Sequence, residues 1–131
     1  MSLAEWQSEL ETVMPRVIEL RRALHAHPEL GGEEQWTQAV ILRELGNLGI
    51  ETHTFRDCYG VMGVLRNGEG RCVAIRADMD ALPVQDPEGL DFASGCPGVM
   101  HACGHDAHMA LALGSAMWLS EHRDRWQGTV K

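Results

Sequence analysis

Eight consecutive residues, HACGHDAH from His101 to His108, contain three histidines, one cysteine and one aspartate. Thiolate and imidazole are preferred ligands of zinc and of its neighbours in the first transition row. The apolar run over residues 107–119 predicts a buried helix, so Cys103 and His105 would lie at or just before its N-terminus. The helix dipole favours a thiolate at that position. This segment therefore predicts a metal site.

A second polar cluster ends the apolar segment at residues 71–78, which is typical of a central strand covered on both faces. Asp78 closes this segment, and Asp80 follows it. Ligand sites of α/β sheets gather where strands end and helices begin, so we expect this cluster to meet the one at residues 101–108. A carboxylate there would accept the second ring N–H of a ligating histidine and fix its tautomer. Each cluster alone is also compatible with an ordinary solvated turn.

The remaining pattern predicts an α/β fold with helices packed on a mostly parallel or mixed sheet. The spacing of apolar residues predicts helices at residues 4–26, 33–48 and 105–122. Strand-like runs lie at residues 51–56, 60–66 and 71–78, and residues 128–131 resemble the beginning of another strand. Pro15 predicts a kink or a break of the first helix near Met14. The sequence NGEG at residues 67–70 predicts a hairpin turn between the second and third strands.

Composition limits the class of partner. The formal net charge of −8 argues against nucleic acid, because phosphate binding needs a basic face. No run approaches the roughly 20 apolar residues of a membrane span, and the N-terminus lacks a signal-peptide pattern, which predicts a cytoplasmic protein with no membrane partner.

The four cysteines are expected to be free thiols, with Cys72 in the core and Cys58 and Cys96 in loops. A helix that is apolar on all faces needs more cover than this chain supplies, so we interpret the chain as a piece of a larger protein.

The other histidines are interpreted as structural. A surface position is predicted for His25, His53 and His122. His27, in the sequence His-Pro-Glu, is expected to shape the end of the first helix. His101 and His108 are expected to be hydrogen-bonded and not to bind metal.

Three segments together resemble, in the same order, the motifs of one enzyme family. They are residues 22–34 (RALHAHPELGGEE), residues 76–83 (RADMDALP) and residues 97–108 (PGVMHACGHDAH). The family is the hippurate hydrolase branch of the aminoacylase/carboxypeptidase metallopeptidases (metallopeptidase family 20), which includes N-acyl-amino-acid amidohydrolases and the plant auxin-conjugate hydrolases. The resemblance spans residues 21–131, and its third motif is highly specific.

The resemblance implies a hydrolase with two divalent ions, either zinc or manganese, cobalt or nickel. Such an enzyme uses metal-activated water to cleave the amide bond of N-acyl amino acids or small peptides. By position, the resemblance implies that Cys103 and His105 are metal ligands and that Asp80 is the carboxylate that orients a ligand. Asp78 stands where the wider family has a histidine ligand, so no role is assigned to it. The general base, a glutamate, would lie beyond Lys131.

The resemblance also implies that residues 1–131 are a truncated, N-terminal part of the catalytic domain, without the dimerisation or lid domain. The full-length protein is then expected to be a homo-oligomer with a small N-acylated amino acid as its substrate, and the 131-residue chain alone to be inactive. The alternative is a catalytically inactive metal-binding or interaction fragment. A small structural zinc domain is disfavoured, because no second Cys/His pair completes four closed ligands.

Overall fold

Three helices and a four-stranded mixed sheet make up the part of the chain that the structure, a computed structural model, describes: residues 3–87 and 89–131. The helices are α1 (Leu3–Ala26), α2 (Gln35–Asn47) and α3 (His105–Glu121), and a short 3₁₀ turn spans Arg123–Arg125. The strands are β1 (Glu51–Thr54), β2 (Val61–Asn67), β3 (Cys72–Val73) and β4 (Gly128–Val130). The predicted α/β class is confirmed, as are the three helices and the first two strands to within two residues at each end.

The sheet has the order β1-β2-β4-β3. β2 is antiparallel to both β1 and β4, whereas β3 runs parallel to β4. In the described ranges, no helix is long and apolar enough to cross a membrane.

α1 is continuous through Pro15, so the helix does not break near Met14, and the alternative, a kink there, stays a prediction. Proline lacks the N–H that would bond to the preceding turn, and its ring crowds that turn. Both defects fall on the solvent side of the helix, because Pro15 is exposed while Val13 and Val17 are buried. Helices curve gently around a core, with the convex side toward solvent. Packing of the buried side, at Val13 and Val17, therefore keeps the helix continuous before and after Pro15.

The core lies mainly between α1 and α3. The buried apolar residues of these two helices are Val13, Val17, Leu20, Leu24, Met109, Ala110, Leu113 and Met117. At Gly114 the helices approach so closely that an added Cβ would lie 2.5 Å from Cγ2 of Val17. α3 is not covered all round, however, since Leu111 on its outer face is 57% exposed.

β4 lies between β2 and β3, so the hairpin predicted from residues 67–70 does not form. The backbone N–H of Thr129 donates to the Arg71 oxygen at 2.9 Å and begins the parallel pairing of β3 with β4. Gly128 permits this close approach, because its φ is +117° and an added Cβ would lie 2.3 Å from the Arg71 oxygen. A turn sequence indicates a change of chain direction but not which strand comes next in the sheet.

β3 is a short edge strand and not the covered central strand that the sequence predicts. Both of its residues are exposed, Val73 by 60%, so Cys72 is not a core residue. The extended chain continues beside β4, where the N–H of Ile75 donates to the Lys131 oxygen at 2.7 Å. In the described part of the chain no strand pairs with the outer edge of β3.

α2 forms hydrogen bonds with charged side chains of α1 and of the loop between α1 and α2. Glu29 accepts the N–H groups of Trp36 and Thr37 at 2.9 and 2.7 Å, which satisfies two free donors at the N-terminus of α2 and places negative charge at the positive end of its dipole. Farther along, Nη2 of Arg16 donates to Oε1 of the buried Glu44 at 2.7 Å. These contacts fix α2 relative to α1.

Replacing Gly114 by alanine should lower the thermal stability, although alanine is the better helix former. The methyl group would overlap Val17, and overpacking a core typically costs about 1–3 kcal/mol, against the ~1 kcal/mol that the higher helix propensity contributes. Gly46→Ala is the matched control, because no atom lies within 4 Å of its added Cβ. Thermal unfolding followed by circular dichroism measures both variants. A Tm of Gly114→Ala at or above that of Gly46→Ala would contradict the close helix contact.

The contact between Arg16 and Glu44 should make stability depend on pH. Burial alone would raise the pKa of Glu44, but hydrogen bonds from Arg16 and Arg43 outweigh burial and hold this pKa below its ordinary value. Such a carboxyl stabilises the fold above its unfolded pKa, about 4.3, and this contribution is lost as the pH falls through the lower folded pKa. Glu44→Gln should therefore lower the free energy of unfolding by on the order of 1 kcal/mol at neutral pH, and by much less in acid.

Urea unfolding at neutral pH and near pH 3 measures this difference. Glu19→Gln is the control, because Glu19 pairs with the same Arg16 at 2.7 Å but has a side chain that is 67% exposed. A loss of stability of the same size at both pH values would show that the charge of Glu44 contributes nothing.

Candidate metal centre

The start of α3 lies against the extended segment that follows β3, so the two polar clusters meet as the sequence predicts. His105 is the first residue of α3, and Gly104 before it has φ +77°, a left-handed conformation that directs the chain into the helix. Asp78 and Asp80 face the His105 ring from the other segment. The positive end of the α3 dipole favours carboxylates at this position.

Backbone hydrogen bonds hold the segment that carries Asp80. The N–H of Ala81 donates to the Glu29 oxygen at 2.8 Å. Leu82 and Met100 exchange two backbone hydrogen bonds, at 2.9 and 3.0 Å. The chain that follows Asp80 is thus fixed, and the position of Asp80 does not depend on its side chain alone.

Asp80 sets the orientation and the tautomer of His105. Nδ1 of His105 lies 2.8 Å from the backbone oxygen of Asp80 and 3.0 Å from its carboxylate Oδ1. A backbone oxygen only accepts hydrogen bonds, so Nδ1 carries the proton and Nε2 of the neutral ring keeps its lone pair. Nε2 lies 3.9 Å from Oδ2 of Asp78. A metal-ligating histidine needs this arrangement.

Asp78, His105 and His108 each place a donor atom within 4.8 Å of the others. His108 lies one helical turn after His105, and the centroids of their rings are 5.5 Å apart. Two atoms bound to the same zinc ion lie at most about 4.2 Å apart, because each bond is about 2.0–2.2 Å long. A small contraction of the cluster would bring the three donors onto one ion. Geometry thus adds Asp78 and His108, which the sequence did not select as ligands.

Cys103, a ligand in the sequence-based prediction, is exposed and is not part of this group of three. It lies in the turn before α3, where the N–H of Gly104 donates to the His101 oxygen at 3.1 Å. Its role as a metal ligand stays a prediction. All four cysteines are free thiols, as expected, and Cys58 and Cys96 are exposed outside the helices and strands.

His101 is 3% exposed, and neither of its ring nitrogens makes a hydrogen bond of ordinary geometry with the described residues. The expected hydrogen bond is therefore at most a poorly aligned one, to the backbone of Asp80. Burial lowers the pKa of His101, and the nearby charge of Asp106 and the backbone of Asp80 only partly oppose this shift. The neutral form of the His101 ring is thus favoured near the candidate metal cluster of Asp78, His105 and His108.

His25 is buried, so the predicted surface position is wrong. Its Nδ1 lies 2.7 Å from Oδ2 of the fully buried Asp106, and its Nε2 lies 3.2 Å from Oδ2 of Asp86. Polar side chains are buried readily when partners satisfy them. Both partners are distant in sequence, which is why local pattern alone placed His25 at the surface.

The three remaining histidines have different outcomes. Nδ1 of His27 bonds to the Ala23 oxygen at 3.0 Å and satisfies a carbonyl at the end of α1, as predicted. His53 is an exposed residue beside Glu51, also as predicted. The side chain of His122 is only 20% exposed and its ring stacks on Trp118 at 4.4 Å, so its predicted surface position is wrong.

Sequence reasoning missed the structural roles of two carboxylates at this end of the molecule. Asp106 is fully buried and accepts contacts from α1, although it belongs to the segment that carries the predicted ligands. Glu29 caps α2, and its position before a predicted helix start was the available signal.

Comparison with known proteins agrees with the resemblance. Residues 74–131 match the model of peptidase family M20/M25/M40. An N-acyl-L-amino acid amidohydrolase of Geobacillus stearothermophilus is 42% identical over 132 residues, which cover 100% of this chain and 36% of that protein. An IAA-amino acid hydrolase of Arabidopsis thaliana is 44% identical over 114 residues, which cover 87% of this chain and 26% of that protein.

A solved structure is similar over nearly the same range. The YXEP protein of Bacillus subtilis, a dinuclear metal binding peptidase from the M20 family, has a TM-score of 0.85 and 42% identity to this chain. The match covers 92% of this chain and 34% of that one. The chain thus spans about a third of the length of the relatives it matches.

The α/β fold places a histidine–carboxylate cluster where α3 meets the segment after β3, and the fold is similar to that of the dinuclear metal binding peptidase of B. subtilis. The chain belongs to the M20 peptidase family, which the sequence-based resemblance had indicated.

Asp80→Asn keeps the shape of the side chain and removes its charge. Metal affinity should fall about tenfold to a hundredfold, the usual effect of altering a carboxylate behind a ligating histidine. The Tm should change little, because the Asp80 side chain is 41% exposed. Competition with a zinc chelator measures the affinity, and Asp91→Asn in the exposed loop is the control. Unchanged affinity, or a large loss of Tm, would show that this carboxylate does not serve His105 in metal binding.

Proposed function

We propose that residues 1–131 are the N-terminal part of the catalytic domain of a metal-dependent amidohydrolase, which cleaves the amide bond of N-acylated amino acids or small peptides. One observation carries the proposal: Asp80 holds Nδ1 of His105, which leaves the lone pair of Nε2, beside Asp78, available to bind a metal ion. The activities named for the Geobacillus and Arabidopsis relatives support the amide substrate class.

His105 binds a divalent ion through Nε2 in this proposal, and Cys103 is the ligand that the sequence predicts beside it. Asp78 and His108 join them, because Oδ2 of Asp78 lies 3.9 Å from Nε2 of His105 and a donor atom of each of the three residues lies within 4.8 Å of the others. Imidazole, carboxylate and thiolate donors together suit zinc, and also manganese, cobalt or nickel. A second ion, as in the dinuclear peptidase of B. subtilis, takes further ligands from the rest of a longer chain.

Bound ions of this kind polarise a substrate carbonyl and make water a stronger nucleophile. The residues of this chain position them: Asp80 keeps His105 in one tautomer, and the hydrogen-bonded backbone that follows Asp80 keeps that contact in place. Cys103 and His108 are exposed, so the donors face solvent on one side. A catalytic site needs such an open position for water and substrate.

The general base is proposed to be a glutamate beyond Lys131. Two carboxylates near the cluster already have other partners, since Asp80 contacts His105 and Asp106 is buried against Arg21. Because the chain spans about a third of the length of its relatives, the base and the remaining ligands belong to the rest of the protein in this proposal. The 131-residue chain alone is then inactive.

A cytoplasmic homo-oligomer is part of the same proposal. The competing hypothesis is a non-catalytic metal-binding or interaction fragment, which would use the same donors without turnover. The two differ in whether the full-length protein hydrolyses an N-acyl amino acid.

In the full-length protein, His105→Ala and Cys103→Ala should each reduce metal content and lower kcat/KM for N-acetyl amino acids by at least about a hundredfold. This size is expected because the ion supplies several kcal/mol of transition-state stabilisation. Asp78→Asn and His108→Ala test the two ligands that geometry alone indicates. His53→Ala, an exposed histidine in β1, is the control. Metal analysis together with an N-acetyl amino-acid assay gives both quantities.

Chelation should abolish activity, and zinc, manganese, cobalt or nickel should restore it. Activity that persists after exhaustive chelation and dialysis would rule out the metal-water mechanism. A metal-loaded full-length protein without turnover would favour the non-catalytic fragment. Turnover by the isolated 131-residue chain would show that the base does not lie beyond Lys131.

A further inference from the structure

Beside the metal cluster lies a group of buried polar side chains that contributes no ligand to the proposed site. Asp106, His25 and Asp86 are 0%, 3% and 4% exposed. The His25 ring lies between the carboxylates, with Nδ1 2.7 Å from Oδ2 of Asp106 and Nε2 3.2 Å from Oδ2 of Asp86. Nε of Arg21 lies 2.9 Å from the same oxygen of Asp106. One imidazole thus connects α1, the first turn of α3 and the loop that carries Asp86.

Stability alone does not account for this group. Buried carboxylates carry a large desolvation cost, which good geometry and complete hydrogen bonding must offset. Among the described residues, Oδ1 of Asp86 and Oδ1 of Asp106 have no hydrogen-bond partner, and Nε2 of His25 lies within ion-pair distance of Asp86 without the geometry of a hydrogen bond. Apolar side chains of similar volume would often give equal or greater stability. Unlike apolar packing, these polar contacts define the relative position of three segments: α1, the start of α3 and the loop that carries Asp86.

The loop side of the connection is itself anchored. Oδ2 of Asp86 accepts the N–H of Ser94 at 2.6 Å. The Phe92 ring covers the group, with the guanidinium of Arg21 4.9 Å from its centroid and the ring of His25 edge-on at 5.5 Å. The contacts of His25 are therefore made in a site screened from water, where hydrogen bonds to charged groups are stronger.

Asp106 connects this group to the metal cluster. It follows His105 directly and precedes His108 by two residues on the same helical turn, so a shift of Asp106 moves both donors. The loop that carries Asp86 begins shortly after Asp80, the partner of Nδ1 of His105. Metal donors need to be held within about 0.5 Å of their productive positions. His25 thus contacts both segments that carry the cluster: α3 through Asp106, and the loop after Asp80 through Asp86.

We infer that His25 is a positioning residue of the metal cluster: by bridging Asp106 and Asp86, it holds the first turn of α3 where Nε2 of His105 faces Asp78. The consequence for catalysis rests on the proposed amidohydrolase function. The consequence for the His105 ring does not, and it is measurable without metal.

Three variants of the full-length protein separate position from stability. His25→Leu removes both polar contacts and keeps an apolar volume. His25→Asn keeps a donor near the place of Nδ1 and should preserve the bond to Asp106. Val17→Ala is the control, because Val17 is buried in the same α1–α3 interface and its truncation lowers stability without touching Asp106.

The first readout is the tautomer of His105 in the metal-free protein, from ¹⁵N chemical shifts of the histidine rings. The wild type and Val17→Ala should show the Nδ1–H form, as the bond to Asp80 requires. His25→Leu should show a mixture of both tautomers, and His25→Asn should return most of the Nδ1–H form.

The second readout is metal binding, by chelator competition with zinc and by the absorption spectrum of the Co²⁺-loaded protein. His25→Leu should weaken zinc binding about tenfold or more and alter the Co²⁺ bands. His25→Asn should recover most of the affinity, and Val17→Ala should leave affinity and spectrum unchanged even where its Tm is equally low.

His25→Leu with a wild-type His105 tautomer and wild-type zinc affinity would overturn the inference. So would Val17→Ala if it changed both to the same extent. If His25→Leu does not fold, Asp86→Asn decides, because it alters only the far end of the bridge: an unchanged tautomer and affinity would then overturn the inference. A protein that changes its His105 tautomer as expected but hydrolyses no N-acyl amino acid would retain the positioning role and lose the proposed function.

Discussion

The packing of α1 against α3 determines most of the structure described above. Apolar burial brings the two helices together, and Gly114 lets their axes approach until Val17 lies over its backbone. An apolar interface tolerates small shifts along its length, since cores accept changes of packing more easily than loss of volume. Asp106 does not tolerate them, because a fully buried carboxylate is costly away from Arg21 and His25. The charged contact therefore sets the register of the two helices, and α1 determines where the metal donors lie without contributing one.

The tautomer of His105 is set in a similarly indirect way. The carboxylate of Asp80 is partly exposed, and by itself it would be a mobile partner for Nδ1. The backbone oxygen of the same residue makes the shorter contact, and backbone bonds through Ala81 and Leu82 hold it in place. A histidine held by a backbone oxygen keeps its proton on that side whatever the neighbouring carboxylate does. The direction of Nε2 thus depends on strand-like pairing around residue 80 as well as on the position of α3.

Local pattern predicted the helices and three of the strands, including the one that begins at residue 128, because each depends on neighbours a few residues apart. The meeting of the two polar clusters followed instead from the general rule that ligand sites of α/β sheets lie where strands end and helices begin. The sheet order depends on a contact between Gly128 and Arg71, which no turn signal near residue 70 contains. The burial of His25 has the same origin, since its polarity favoured the surface until two distant aspartates supplied partners. Asp78 was left without a role because it stands where the wider family has a histidine ligand, and only its distance to Nε2 of His105 indicates one.

The metal cluster has two unlike sides, and this asymmetry bears directly on chemistry. On the inner side, Nδ1 of His105 is hydrogen-bonded to the backbone of Asp80. The neighbouring side chains of Asp106, His25 and His101 are buried, and burial lowers the pKa of His101. On the opposite side, His108 and Cys103 are open to solvent. A structural metal site is closed on all sides by its ligands, whereas a catalytic one keeps a coordination position for water or substrate. Under the proposed function, a fixed inner side with an exposed outer side suits hydrolysis, because the donors stay in place while the reacting molecules exchange.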